Sequence, residues 1–499
     1  MRPLAPHQTT AGGRAYWAAA ATSFTLCFVA AAQAQQTYVP TKDCSALAGT
    51  TLAGVLVTSA TSVPATPTAV GYCRITATAS LQTDIEVRVP IQWNGRVLHI
   101  GGGGFDGSIP NLGGQYLNAG YAMTGSNGGH RNSAYPGATF GLNNTLVADY
   151  AHRAIGYTIG VAKAAVQALF TRRADFTYFQ GCSNGGRGAL NAAAKYGAEY
   201  DGVIAGAPTR NLPGLVSLWS SAAQQPSKPS GAKLTSLYNA YVQACDANDG
   251  VKDGVVSSAP TCKFKPQALL CTAESNNSCL TQPELDAVSY VSNDLRLADG
   301  TVVHSKFGIG NGSVLGSGQG LGYGHLQYIV YQNPAYNGAT FNLNNDYPVV
   351  KDRLNEVFDF SASVPDLAAF MRDGKKIIVW HGMEDALLSP YDTVRTMDEV
   401  KDASGPAHNN MKVFMTPGMG HCGGGPGAGT FDLVTALAQW VETGGQLNDR
   451  DVTASRVVGG NTVFTRPLCE YPKYPHYSGE GDPTVAASYV CKNMPAPRR

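Results

Sequence analysis

The sequence predicts an α/β fold built around a mostly parallel sheet, because strand-like and helix-like segments alternate along it. The strand-like segments are short alternating or apolar runs at residues 85–90, 96–100, 175–180 and 202–206. Apolar residues recur at helical spacing over 150–171, and helix formers run over 187–196. Parallel strands need crossovers of this kind, so the order of the segments fits that fold class.

The pattern changes in the middle of the chain. Between residues 210 and 345 the sequence is rich in Gly, Asn, Ser, Tyr and Cys, and strand-like segments stop. Such segments resume at 375–382 and 411–415, and residues 432–443 form a closing helix with one apolar face. We therefore predict one α/β domain made of residues 35–209 and 346–499, with residues 210–345 inserted as a second domain.

Composition and charge exclude several classes of protein. The chain has 499 residues, of which 43% are hydrophobic and 14% charged, enough for a large core and unlike a disordered chain. Lys and Arg number 36 and Asp and Glu 35, so the net charge is +1. A chain so near neutrality has no general attraction to a phosphate backbone, and we expect no nucleic-acid partner.

The N-terminus has the pattern of a secretory signal. An apolar run over 15–32 follows a positively charged start, and Ala32-Gln33-Ala34 is a small-x-small cleavage site. We expect residues 1–34 to be a signal peptide, cleaved after Ala34, and the mature protein to be secreted or periplasmic. The alternative is a membrane anchor, but the run is short for a ~30 Å bilayer core, so no membrane partner is expected.

The cysteines fit an oxidising compartment. Cys27 lies in the predicted signal peptide, which leaves ten of the 11 cysteines in the mature chain, an even number. Spacing suggests local pairing for most of them, although the connectivity is open at this point. Cys182 and Cys422 are far apart, and each is adjacent to a residue of catalytic type. These two are either bonded to each other or free buried thiols.

One motif has the pattern of a nucleophile. Gly181-Cys182-Ser183-Asn184-Gly185 is the only G-x-S-x-G match in the chain, and it lies between a predicted strand and a predicted helix. The glycines allow a tight turn that lifts the serine off the sheet, where a base can remove its proton. We predict that Ser183 is a nucleophile; the alternative is a purely structural turn.

An acid and then a base follow the serine along the chain, which is the order expected for this motif. Asp385 lies on the loop after the strand-like segment 375–382, and His421 lies on the loop after 411–415. Open α/β sheets place their sites at such strand exits. We predict that His421 is the base and Asp385 its acidic partner, with Glu384 as a competing candidate for the acid.

These residues carry a family resemblance. The hexapeptide at 181–186, the distal Asp385 and the pair His421-Cys422 resemble the tannase and feruloyl esterase family, which includes mono(2-hydroxyethyl) terephthalate hydrolase. The resemblance spans essentially the whole mature chain and implies an α/β-hydrolase fold with a large inserted lid domain at 210–345. It implies a secreted serine carboxylic ester hydrolase that cleaves feruloyl, hydroxycinnamoyl or galloyl esters through an acyl-enzyme, with a terephthalate monoester as the alternative substrate.

The same resemblance implies five disulfide bridges. They are Cys44–Cys73, Cys182–Cys422, Cys245–Cys262, Cys271–Cys279 and Cys469–Cys491. A disulfide holds its Cα atoms about 5.5–6 Å apart, so the bridge from Cys182 would set Ser183 beside His421. It would also close a very long loop, worth about 4–5 kcal/mol in the chain-entropy description.

The oxyanion formed during acyl transfer needs two preorganised N–H donors. The backbone of Asn184, directly after the nucleophile, is expected to supply one of them. The other is expected from the glycine run 101–104, at Gly103 or Gly104, because glycine lets the backbone approach the substrate closely. The family resemblance points to the same loop; the alternative is a flexible strand exit.

A second motif lies in the insertion, where three carboxylates and two glycines fall within residues 246–255. Hard oxygen ligands on a glycine-containing loop suit Ca²⁺. By resemblance to the calcium loop of the family's lid, the ligands are the carboxylates of Asp246, Asp249 and Asp253 and the carbonyls of Val251 and Val255. This calcium would be structural, the alternative is a solvated acidic turn, and no organic cofactor is expected.

The expected partner is a small aromatic ester. A Gly-rich stretch of the insertion offers four aromatic stacking surfaces, Tyr323, Tyr328, Tyr331 and Tyr336. Family members that act on terephthalate monoesters use a lid arginine, and this chain has no Arg between residues 300 and 352, which disfavours that substrate. A metal-dependent hydrolase and a non-catalytic binding protein remain as alternatives of another class, and the sequence predicts no oligomeric state.

Overall fold

A mixed sheet of ten strands lies at the centre of the structure. The computed structural model describes residues 36–272 and 277–494, so the predicted signal peptide, its cleavage site and Cys27 lie outside the described residues. In chain order the strands of the sheet are β1 (Thr51–Leu52), β2 (Val55–Val63), β3 (Tyr72–Ala79), β4 (Thr83–Pro90), β5 (Arg96–Ile100), β6 (Ala122–Ser126), β7 (Phe176–Cys182), β8 (Gly202–Gly206), and, after the insertion, β11 (Lys376–Gly382) and β12 (Met411–Thr416).

The two halves of this sheet differ in strand direction. The spatial order is β1-β2-β3-β4-β6-β5-β7-β8-β11-β12. The pairs from β1 to β6 are antiparallel, whereas those from β6 to β12 are parallel. The parallel half confirms the predicted α/β fold. The sequence analysis did not predict β2 and β3, whose many Thr, Ser and Ala residues make a weak alternating pattern.

Helices cover the sheet and fill the insertion. The α-helices are α1 (Gln115–Asn118), α2 (Asn144–Ala148), α3 (Ala154–Phe170), α4 (Asn184–Lys195), α5 (Leu212–Ala223), α6 (Ala232–Cys245), α7 (Gln282–Val291), α8 (Val314–Ser317), α9 (Gln319–Gly324), α10 (Leu343–Lys351), α11 (Val364–Arg372), α12 (Pro390–Ser404) and α13 (Leu433–Thr443). The predicted helix at 187–196 begins earlier, at Asn184, because the chain turns into the helix immediately after Ser183.

Adjacent residues of the parallel strands face two different cores. Phe179 and Val379 belong to a core on one side of the sheet, which includes residues of α3 and α4. Tyr178 and Ile378, one position earlier on the same strands, belong to a core on the other side, together with Trp440 of α13. A strand sends successive side chains to opposite faces, so both faces of the parallel half are buried.

The insertion leaves the sheet between two neighbouring parallel strands. β8 and β11 pair directly, with Val203 opposite Ile377, so the intervening chain adds no strand between them. This excursion contains α5 to α11 and a small hairpin of β9 (Leu295–Arg296) with β10 (Val302–His304). The predicted insertion at 210–345 therefore lies within this excursion, and many of its apolar residues form a core of their own.

Two further hairpins lie near the C-terminal end of the described chain. One pairs β13 (Thr453–Val458) with β14 (Asn461–Pro467), and the other pairs β15 (Lys473–Tyr477) with β16 (Tyr489–Asn493). Among the residues that the structure describes, no helix is both long and apolar enough to cross a membrane.

Candidate active site

Ser183 occupies a tight turn between β7 and α4, at the carboxyl edge of the parallel strands. Its backbone has φ 64° and ψ −122°, a conformation that residues with side chains adopt rarely. A Cβ atom at Gly181 would lie 2.5 Å from the Gly185 carbonyl oxygen, and one at Gly186 would overlap the Gly206 carbonyl oxygen. The glycines of the motif are therefore needed because strand and helix pack closely at this turn.

The predicted base and acid are in contact. His421 Nδ1 lies 2.7 Å from Asp385 Oδ2. The other carboxylate oxygen, Oδ1, accepts the backbone N–H groups of Leu387 and Leu388 at 2.7 and 2.9 Å. Burial opposes the charge of Asp385, but hydrogen bonds from two histidines outweigh it and hold the pKa of this carboxyl well below its usual value.

Glu384, the competing candidate for the acid, has no such contact. Among the described residues its carboxylate makes no hydrogen bond or ion pair, and it lies near Tyr238, Tyr241 and Tyr391. Burial raises the pKa of Glu384 to about 7. The structure therefore brings Asp385, and not Glu384, to His421.

The sequence analysis missed the second histidine at this carboxylate. His381 is fully buried at the end of β11, and its Nε2 lies 3.0 Å from Asp385 Oδ2. Its Nδ1 lies 2.9 Å from the Thr393 hydroxyl. The signal for this role was present in the sequence, because His381 lies near the end of a predicted strand and four residues before the predicted acid.

A disulfide joins the two halves of the site. Cys182 and Cys422 are bonded, with their Cα atoms 5.9 Å apart across a sequence separation of 240 residues. Ser183 follows Cys182 in the chain and His421 precedes Cys422, so the bond keeps the serine and the histidine in the same part of the molecule. Within the described part of the chain the Ser183 hydroxyl makes no hydrogen bond, to His421 or any other group. The other four cysteine pairs implied by the resemblance are also bonded.

A cleft reaches this disulfide from the side. It has a volume of about 410 Å³, and its walls include Cys182, Cys422 and the aromatic residues Tyr116, Trp380 and Phe431. Cys422 is exposed, so a small reagent in solvent can approach the bond.

The glycine run predicted for the oxyanion hole lies against the turn that carries Ser183. A Cβ atom at Gly185 would lie 2.5 Å from the Gly102 carbonyl oxygen, so the run and the first turn of α4 are in contact. Gly103 and Gly104 are exposed, and the Tyr150 hydroxyl donates to the Gly104 carbonyl at 2.6 Å. Within the described residues no acceptor takes the N–H of Gly103, Gly104 or Asn184, so all three are available to a ligand.

In the acidic loop, backbone donors and one arginine meet the three carboxylates. Asp246 accepts the N–H of Gly254 at 3.1 Å, and Asp249 accepts that of Val251 at 3.2 Å. Asp253 accepts the N–H of Val255 at 3.0 Å and forms an ion pair with Arg466. Across residues 36–272 and 277–494, no three or more His, Cys, Asp or Glu side chains converge in the arrangement of a metal site.

Two observations nevertheless fit calcium at this loop. Burial, with a further contribution from Asp253, raises the pKa of Asp249 to about 6, so a nearby cation would relieve an unfavourable charge. The Val251 and Val255 carbonyls accept no hydrogen bond from the described residues. The donor chemistry of this loop therefore fits the predicted ion.

The tyrosines of the insertion that were predicted as stacking surfaces are largely engaged in packing. Tyr331 and Tyr336 stack with ring centroids 4.3 Å apart, and Tyr323 packs against Gly338. His325 of the insertion packs against Phe105, the residue after Gly104, with the two ring centroids 5.0 Å apart. This contact joins the insertion to the loop that carries the glycine run, and the sequence analysis did not single out His325.

A nucleophile-type turn and a histidine–aspartate pair at the exits of parallel strands define an α/β-hydrolase fold. Comparison with known proteins then gives the family: the chain matches "Tannase and feruloyl esterase" over residues 68–318 and 321–492 and belongs to that family. Its fold and membership together make the protein an ester hydrolase.

Individual relatives agree with this assignment. A probable feruloyl esterase of Arthroderma benhamiae is 30% identical over 85% of this chain and 86% of its own. The mono(2-hydroxyethyl) terephthalate hydrolase of Piscinibacter sakaiensis is 29% identical over 87% of each chain. The crystal structure of feruloyl esterase B from Aspergillus oryzae superimposes with a TM-score of 0.80 at 25% identity, covering 90% of this chain and all of that one.

Proposed function

We propose that the protein is a secreted or periplasmic serine esterase that hydrolyses esters of aromatic acids, with Ser183, His421 and Asp385 as its catalytic residues. The observation that carries the proposal is the Cys182–Cys422 bond, which links the residue before the serine to the residue after the histidine. A link at this place has value mainly if the serine and the histidine work together.

The proposed reaction has two steps. His421 accepts the Ser183 proton through Nε2, because Nδ1 is engaged with Asp385, and the serine oxygen attacks the ester carbonyl. His421 then gives the proton to the departing alcohol, which leaves an acyl-enzyme. A water molecule deprotonated by His421 releases the acid and restores Ser183.

One feature of the free enzyme supports these roles, and a second is compatible with them. The carboxylate of Asp385, with its lowered pKa, stabilises the imidazolium that forms in each step. The absence of a hydrogen bond between Ser183 and His421 is compatible with the proposal, since catalytic hydrogen bonds are often long before substrate binds and shorten in the complex.

For the oxyanion we propose the N–H of Asn184 together with that of Gly103 or Gly104. Within the described residues none of the three donates to another acceptor, and the Gly101–Gly104 run packs against the turn that carries Ser183. Donors of this kind stabilise the tetrahedral intermediate more than the ground-state carbonyl, and the loss of one costs about 10²–10³ in rate.

The substrate class rests on the relatives. A feruloyl or other hydroxycinnamoyl ester, or a galloyl ester, is the first candidate. A terephthalate monoester is the second, because one relative is named for that activity, but residues 301–351 contain no Arg to bind its free carboxylate. The rings of Phe105 and His325 beside the glycine run are candidates to contact the aromatic acid.

We also propose a structural calcium ion at the acidic loop, held by Asp246, Asp249 and Asp253 and by the carbonyls of Val251 and Val255. When bound, it would neutralise the buried carboxylates and fix the loop that the Cys245–Cys262 bond closes. It has no role in the ester chemistry. Five disulfides support export to an oxidising compartment.

The test is a panel of methyl ferulate, methyl gallate and mono(2-hydroxyethyl) terephthalate, assayed with the wild type and with Ser183→Ala. We expect turnover of at least one of the first two and loss of more than about 10³-fold in Ser183→Ala. Activity that survives the substitution would refute the serine mechanism. Activity that chelation removes but Ser183→Ala does not would favour a metal-dependent hydrolase, and turnover of the terephthalate ester alone would favour the second substrate.

A further inference from the structure

Asp106 lies two residues after Gly104, and its carboxylate is held beneath the glycine run. The backbone N–H of Asp106 donates to the Gly103 carbonyl at 2.9 Å. A Cβ atom at Gly102 would lie 3.1 Å from the carboxyl carbon of Asp106, and one at Gly128 would overlap the same carboxylate. Glycine at both positions leaves room for this side chain.

The carboxylate is bonded to the residue that follows the nucleophile. The Asn184 amide donates through Nδ2 to Asp106 Oδ1 at 2.7 Å. On its other side the Asn184 Oδ1 atom accepts Nε of Arg187 at 2.7 Å. The amide is thus fixed at both ends, which fixes the first turn of α4 and with it the backbone N–H of Asn184.

Arg187 completes a second connection to the same loop. Its guanidinium is buried and donates to the Tyr150 carbonyl at 3.0 Å, and the Tyr150 hydroxyl donates in turn to the Gly104 carbonyl. Burial lowers the pKa of Arg187, while Asp106 acts in the opposite direction as a nearby negative charge. Asp106 therefore compensates a buried cation as well as binding Asn184.

These contacts form a closed ring, because Gly103 and Gly104 are consecutive. Its members are Gly103, Gly104, Tyr150, Arg187, Asn184 and Asp106. The ring contains all three candidate oxyanion donors, and it holds the glycine run at two successive carbonyls. Its dimensions set the distance between the N–H of Asn184 and that of Gly103 or Gly104.

We propose that Asp106 is a positioning residue for the oxyanion hole: through Asn184 and the Gly103 carbonyl it holds the two N–H donors at the separation that the tetrahedral intermediate requires. The inference rests on the proposed function, since it assumes acyl transfer at Ser183. Asp106 itself does not touch the substrate. Its effect appears only as charge develops on the ester oxygen, because a preorganised donor pair acts mainly in the transition state.

The test compares Asp106→Ala with Asp106→Asn. The alanine variant loses the acceptor for Asn184, and we expect kcat to fall about 100-fold with KM within about threefold. The asparagine variant keeps an oxygen that can accept the same hydrogen bond, and we expect it to retain kcat within about tenfold of wild type. Asp175→Asn, a surface carboxylate paired with Arg172, is the matched control and keeps wild-type kinetics.

A second readout separates positioning from a merely structural role. An arylboronic acid forms a tetrahedral adduct with a serine, whereas the free aromatic acid product is a planar ground-state ligand. We expect Asp106→Ala to weaken the boronic acid by about the factor lost in kcat and to leave the affinity for the product acid within about twofold. Equal losses for the two ligands, or a kcat within threefold of wild type, would overturn the proposal.

Asn184→Ala covers the case in which Asp106→Ala does not fold. It removes the same link but keeps the backbone N–H, and we expect the same fall in kcat at unchanged KM. The double variant should be no worse than either single one, because each single change already breaks the ring at the hydrogen bond between Asp106 and Asn184; additive losses would contradict the ring. If Ser183→Ala retains activity, the proposed function fails. If Ser183→Ala is inactive but the Asp106 variants behave as wild type, only this inference fails.

Discussion

The candidate active site around Ser183 and the acidic loop at residues 246–255 are both marked in the sequence by a cysteine next to polar residues and glycines. In the structure, however, their polar side chains have different kinds of partner. At the first, residues 240 positions apart are brought together by a disulfide, and Asp385 meets His421. In the second, each carboxylate accepts a backbone N–H from within eight residues, and Asp253 is paired with Arg466.

The difference shows what local motifs can predict. A simple turn does not need a covalent link to a residue that is distant in the sequence. The link that brings Ser183 and His421 together therefore strongly supports a joint role for these two residues. Local satisfaction of Asp246, Asp249 and Asp253 is compatible with an acidic turn as well as with an ion. Experiments that separate the two regions therefore test the two interpretations independently.

Among the changes that separate these two regions, the largest expected effect is that of removing the central disulfide. In Cys182→Ser with Cys422→Ser, Ser183 and His421 lose their tether, and we expect kcat/KM to fall at least about tenfold. In the chain-entropy description, this bridge also contributes roughly 2 kcal/mol more to the free energy of unfolding than a bridge that closes a loop of about 20 residues. Steady-state assays below the melting temperature measure the first effect, and denaturant unfolding measures the second.

The matched control is Cys469→Ser with Cys491→Ser, which removes a bridge of sequence separation 22. It should lower stability but keep kcat/KM within about threefold. Equal activity losses in the two double variants would show that the central bridge acts only on stability. Because a cleft leads to the Cys182–Cys422 bond, mild treatment with a dithiol should reduce this bond before the other bridges. The treated wild type should then show the same loss of activity as the double variant.

A smaller effect is expected from the acidic loop. If calcium binds there, exhaustive dialysis with EGTA should lower the melting temperature by about 5 °C and readdition should restore it, while kcat at 25 °C stays unchanged. Asp246→Asn with Asp249→Asn should abolish the response to calcium, whereas Asp482→Asn, on an exposed loop, should not. A wild type that retains no calcium by elemental analysis and melts at one temperature throughout would contradict the proposed calcium site.

The smallest effect concerns Glu384, which is next to Asp385 in the candidate active site. Among the described residues its carboxylate has no hydrogen-bond or ion-pair partner. Burial raises its pKa to about 7, above the 4.5 expected in the unfolded chain. The folded state therefore binds more protons between these values, and stability is lost as pH rises from about 4.5 through about 7. We expect this pH rise to lower the free energy of unfolding of the wild type by on the order of 2 kcal/mol, and we expect Glu384→Gln to abolish that decrease.

Denaturant unfolding at pH 5 and pH 8 measures this difference. Wild type should lose more stability than Glu384→Gln over that interval, and Glu199→Gln, at a surface ion pair with Lys163, should follow the wild type. Parallel pH profiles for wild type and Glu384→Gln would show that Glu384 is solvated.

Much of the parallel sheet could be predicted from sequence. Buried parallel strands such as β8 and β11 are continuous apolar runs, and their predicted limits lie within a residue of the observed ones. In the antiparallel half, residues 85–90 of β4 were predicted as a strand, but β2 and β3 were missed because their many Thr, Ser and Ala residues make a pattern too weak to distinguish from a loop. Strand order also depends on contacts that no local pattern contains.

At the candidate site, the motif and chain order predicted Ser183 and His421, and they favoured Asp385 as the acid with Glu384 as a competing candidate. The side chains of Asp385 and Glu384 point to different surroundings, which depends on the turn after β11. The roles of His381, Asp106 and Arg187 were invisible for a similar reason: each acts through hydrogen bonds to residues that only the fold brings close. Spacing suggested local pairs for most cysteines, whereas the central bridge needed the family resemblance.

The central claim is that Ser183 forms the acyl-enzyme, and covalent labelling tests it most directly. After reaction with an aryl phosphonate ester, intact-mass spectrometry and peptide mapping should find one adduct per chain, on Ser183, and none in Ser183→Ala. In His421→Ala the labelling rate should fall by more than about 100-fold, because the serine then lacks its base. An adduct on another residue, or a Ser183→Ala variant that hydrolyses aromatic esters at the wild-type rate, would contradict the account.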